Sequence, residues 1–133
     1  MNISRLAAIV HAVITLGVVA FQVALAAGAP WGAYAMGGAF PGQFPSELRI
    51  AAVVQAVLLL GLTGVVLARA GLALPGWSRA ARWLIWIVVA FSVLSLILNL
   101  IAPSAGERAI WAPVALLLMI SSATVAFSSP STR

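Results

Sequence analysis

The sequence lacks cysteine altogether and holds only seven basic and two acidic residues in 133 positions. Without cysteine there are no disulfides, thiolate metal sites or thiol–disulfide chemistry. Charged residues make up 7% of the chain, against roughly 25% in an ordinary soluble domain, too few to clothe a water-facing surface. Histidine occurs once, at His11, and no acidic residue lies near the middle of an apolar run that could orient it, so a metal or haem site is not expected. The same lack leaves proton-coupled exchange through a mid-membrane carboxylate without a carrier. No Ser-His-acid set or phosphate loop is present, and the chain reads as a non-enzyme with no cofactor.

What is present is apolar sequence, 64% of the chain. It falls into runs that predict helices over about 6–29, 48–69, 81–102 and 107–127, each long enough to cross a bilayer at about 20 residues per span. Lipid admits helices or closed barrels, and the runs lack the alternation of barrel strands. The expectation is an all-α membrane protein: one domain over 1–133, four transmembrane helices in an antiparallel bundle, and a structured outer loop at 30–46.

All seven basic residues are Arg. Arg5, Arg69, Arg79, Arg82 and Arg133 fall on one side of that scheme, and Arg49 and Arg108 on the other. The positive-inside rule then makes both termini cytoplasmic. Contact with anionic headgroups accounts for the +5 charge, which leaves nucleic acid an unnecessary partner. Trp77, Trp83 and Trp86 flank the inner face and Trp31 and Trp111 the outer, as an interfacial belt. A rival reading has Ala24-Leu25-Ala26 as a signal cleavage site, against which stand the length of the first run and its interruption by His11 and Gln22.

Helix two opens Pro45-Ser46-Glu47-Leu48-Arg49, and helix four opens Pro103-Ser104-Ala105-Gly106-Glu107-Arg108. This echo fits either a parallel repeat of two hairpins or convergent capping by Ser with Glu in the first turn. On the capping reading Glu47 and Glu107 are ionised caps, each near an Arg.

Intramembrane polar residues need partners, and here they form stripes. His11, Thr15 and Gln22 lie within about 40° of one another on a helix. Ser92, Ser95 and Asn99 share a second face. Gln22, Gln55 and Asn99 sit roughly 5–12 Å from the outer ends of their helices at ~1.5 Å per residue. These carboxamides serve either as interhelical glue or as a binding site open to the outer leaflet. Ala52, Ala56, Gly64 and Ala68 on helix two form a small-residue row suited to close approach, including a homo-oligomer through that helix.

The segment from Gly28 to Pro45 is uncharged and carries five Gly, three Pro and the rings of Trp31, Tyr34, Phe40 and Phe44. Such a loop gains from burial only if most rings pack, so it is expected to fold onto the outer mouth as a lid or a plug. Gly37-Gly38 would be its hinge or tight turn, and Trp31 its interfacial anchor.

The run Ala29-Pro30-Trp31-Gly32, then Gly37-Gly38, Pro41-Gly42 and Pro45 leading into Leu48-Arg49, resembles small, functionally uncharacterised four-helix bacterial membrane proteins; Asn99 through Pro113 is similar to their third connection. The resemblance implies four spans and a bacterial plasma (inner) membrane, and it transfers no catalytic residue. The expected function is to bind or move a small neutral or lipid-like ligand under the first loop, with Gln22, Gln55, Asn99, Trp31 and Tyr34 as site residues. The alternative is a non-catalytic accessory or assembly subunit of a larger membrane complex, which would bond the carboxamides to one another and expose the small-residue row. Expected partners are membrane lipids and either a small ligand or a membrane protein.

Overall fold

The computed structural model describes residues 2–35 and 38–128; Gly37 of the expected hinge and Arg133 of the basic set lie outside the described residues. Four helices carry the fold: α1 (Ile3–Ala27), α2 (Ser46–Arg69), α3 (Ser78–Leu100) and α4 (Ala105–Phe127). Each is long and apolar enough to cross a membrane.

Caps explain why the helices depart from the apolar runs. Helix α1 starts three residues before its apolar run because the Asn2 side chain accepts from Arg5 N at 2.8 Å, satisfying one of the orphan donors of a first turn. It stops at Gly28, whose φ of 108° is left-handed and whose N–H returns to Ala24 and Leu25. Ser104 caps α4 by accepting from Glu107 N at 3.2 Å. The echoing Ser46 does not cap: it lies inside α2, whose N-cap is Pro45 with no side-chain bond. Convergent capping therefore explains one of the two openings. A 3₁₀ turn at Pro75–Trp77 leads into α3.

The helices pack in cyclic order. Helix α1 lies most extensively against α2 and α3 against α4, while α4 closes on α1, α2 on α3, and the diagonals barely touch. One cluster joins Ala7 and Ala8 of α1, Val65 and Val66 of α2, Ala81 and Ile85 of α3, and Val125 and Ala126 of α4. The first turns of α1 and α3 thus meet the last turns of α2 and α4. A second cluster, Leu25, Phe44 and Ala52, lies where α1 ends and α2 begins. Between the two clusters the bundle does not close.

The small-residue row is spent inside the chain. Ala52, Ala56, Gly64 and Ala68 are all buried, and a Cβ on Gly64 would come within 2.9 Å of the Trp77 ring. The row is thus taken up by packing within the bundle and is not free to join two copies while the bundle is intact. What α2 turns outward is Ile50, Val53, Val54 and Val57.

Candidate functional site: a cavity beneath the first loop

The opening between the clusters is a cavity of about 390 Å3, within the ordinary range for small-molecule sites. All four helices line it. Gln22 comes from α1, Gln55 from α2, Asn99 from α3 and Glu107 from α4, with Tyr34 and Ala35 of the first loop as roof. The three carboxamides thus converge, as their common depth predicts. Asn99 Nδ2 donates to Ser95 O one turn back at 2.7 Å. No hydrogen bond joins one carboxamide to another among the described residues, so they do not act as mutual glue.

Trp31 departs from its expected role. It does not line the cavity; it stacks on Phe21 at a centroid distance of 6.0 Å and an angle of 11°. Phe21, which does line the cavity, meets Trp111 edge-on at 4.7 Å. Three rings therefore run from the loop through α1 to α4, and Trp31 buttresses the wall from behind. Trp111 is the ring that sequence reading placed at the interface and that the fold turns to the cavity.

The roof packs differently from the expectation. Of its four aromatic rings only Phe44 is buried, at 2% exposed, while Trp31, Tyr34 and Phe40 stay 40–46% exposed. Hydrogen bonds do the remaining positioning. Gly32 N donates to Gly42 O at 2.9 Å and closes the loop on itself. Ser104 Oγ donates to Ala33 O at 3.2 Å, and Trp111 Nε1 to Tyr34 O at 2.6 Å. The Tyr34 ring lies so close to Gly106 that a Cβ there would sit 2.7 Å from Cε1. Gly38 has a φ of 77°, and a Cβ there would come within 3.1 Å of Ser104 Cβ and 3.2 Å of Ala33 O, so the chain passes close to the same helix end.

Glu107 is where the fold differs most from the sequence reading. Glu47 is exposed, as a cap should be. Glu107 is only 8% exposed, it lines the cavity, and its Oε2 is buried without a hydrogen-bond partner among the described residues. The Ser-x-x-Glu pattern suggests that the carboxylate should turn back to the cap; only the Ser104 half of that exchange is made. The two nearby arginines bond elsewhere: Arg108 Nη1 donates to Ala102 O and Arg49 Nε to Phe44 O.

A second, far smaller void of about 30 Å3 lies deeper, bordered by His11, Thr15 and Ser92. That is room for about one water molecule. His11 Nδ1 lies 3.4 Å from Thr15 Oγ1, and Ser92 Oγ donates to Val88 O. The two voids share Leu59, Phe91, Ser95, Ala115 and Leu118 as lining. Among the described residues no group of three or more His, Cys, Asp or Glu side chains is placed to hold a metal ion. Comparison with protein-family models, curated proteins and solved structures gives no match to this chain.

Proposed function

We propose that the chain is a multi-pass protein of a bacterial plasma membrane that binds or moves a small, largely apolar ligand in the cavity beneath its first loop, without catalysing a reaction. In this reading the helices alternate in direction and both termini are cytoplasmic. The supporting pattern is Arg5, Arg69, Arg79 and Arg82 near one end against Arg49 and Arg108 at the other. The observation that carries the binding role is the cavity itself, walled by Leu, Val and Phe with a few polar groups converging from four helices. An accessory-subunit role finds less support, since the carboxamides are not bonded to one another and the small-residue row is buried. The test is native purification followed by mass spectrometry, comparing wild type with Ala115→Trp, which fills the cavity from α4. A small molecule retained by wild type and lost from the variant is the expected result. Only bulk lipid in both samples would refute the binding role.

A further inference from the structure

We infer that the cavity ligand is an organic cation, an ammonium group on an apolar body, held with its charge against Glu107. The inference rests on the cavity reading above and adds the ligand's charge to it.

Glu107 is an acid more than nine-tenths buried with one carboxylate oxygen unpartnered. Burying a carboxyl group without a partner is costly, and the positive end of the α4 dipole offsets only part of that cost. Among the described residues no cation bonds to that oxygen, and Arg49 and Arg108 donate to the main-chain carbonyls of Phe44 and Ala102. Everything else around the cavity suits an ammonium guest. The carbonyl oxygens of Gln22, Gln55 and Asn99 are acceptors, and the lining includes Tyr34 and Trp111, aromatic residues of the kind that attract a cation. The remainder of the lining is apolar and takes the body of the molecule. An anionic guest would meet Glu107 with like charge. A neutral one would leave that charge uncompensated.

The experiment compares phenylbutylammonium with phenylbutanol, two probes of nearly the same shape. Both carry hydrogen-bond donors; only the first is charged at neutral pH. Equilibrium binding of each is measured to the full-length protein in phosphatidylcholine nanodiscs, whose headgroups are net neutral, after subtraction of empty discs. Wild type should prefer the ammonium by about tenfold or more, the range set by hydrogen bonds to charged groups. Glu107→Gln should lose that preference while its phenylbutanol binding, which reports an intact cavity, is kept. Glu107→Asp, which retains the charge, should keep it. Equal or better binding of phenylbutanol by wild type would overturn the charge inference and leave the cavity reading standing. Binding of neither probe would overturn both.

Discussion

The indole N–H of Trp111 donates to the main-chain carbonyl of Tyr34 at 2.6 Å, joining positions 77 apart in the sequence. Through that bond the last helix holds the first loop, and the loop in turn roofs the cavity that all four helices line. Trp111→Phe keeps most of the ring and removes the donor. We expect it to lower stability by about 0.5–1.5 kcal/mol, the net value of one hydrogen bond. Hydrogen exchange should quicken over residues 31–44 and hardly change in the helices. An unaltered loop would mean that Ser104 and Phe44 alone hold it.

Gly32 closes the same loop by a different means. A Cβ at this position would sit 1.9 Å from the Phe40 carbonyl oxygen, so Gly32→Ala must break the contact with Gly42. Exchange should rise throughout the loop. Gly17→Ala, where a Cβ meets nothing within 4 Å, is the control and should leave loop protection as it is.

Phe44 is the one loop ring sunk into the bundle, against Leu25 and Ala52. Truncation to Ala should cost about 3–5 kcal/mol, as for other buried aromatic residues. Reversible unfolding in mixed micelles measures this, and a loss below about 1 kcal/mol, the size of an ordinary surface change, would show that the loop does not depend on this anchor.

The proposed orientation is tested with single cysteines in a chain that has none of its own. Ser46→Cys and Ala105→Cys should react with an impermeant maleimide from outside, and Ser78→Cys only after the membrane is opened. All three sites are exposed. Ala105 is preferable to Gly106, where a side chain would strike Tyr34. External labelling at Ser78 would reverse the topology.

The spans were legible in the sequence because lipid allows few backbone solutions and charge is nearly confined to the helix ends. The convergence of Gln22, Gln55 and Asn99 was legible too, since helical rise turns sequence position into depth. Glu107 was not. Its local pattern is that of a surface cap, and the segment laid over its helix end comes from far away: Tyr34 lies against Gly106 and is held by Trp111. No local rule carries that information. Trp31 misled for a related reason, as an aromatic beside a helix end fits an anchor, a cavity wall or a buttress equally well, and only the position of Phe21 decides. The small-residue row on α2 gave a face without saying what would cover it, and Trp77 took part of that place.

The two voids have an uneven relationship that bears on traffic. The larger has room for a small molecule, the smaller for about a single water, and Leu59, Phe91 and Leu118 line both. Carriage to the opposite face would require Phe91 and its two leucine neighbours to part together, drawing a cation past apolar walls into a space that offers one histidine and three hydroxyls. On the proposed reading, without that parting the same architecture would serve as a receptacle, loading and unloading on one side of the bilayer.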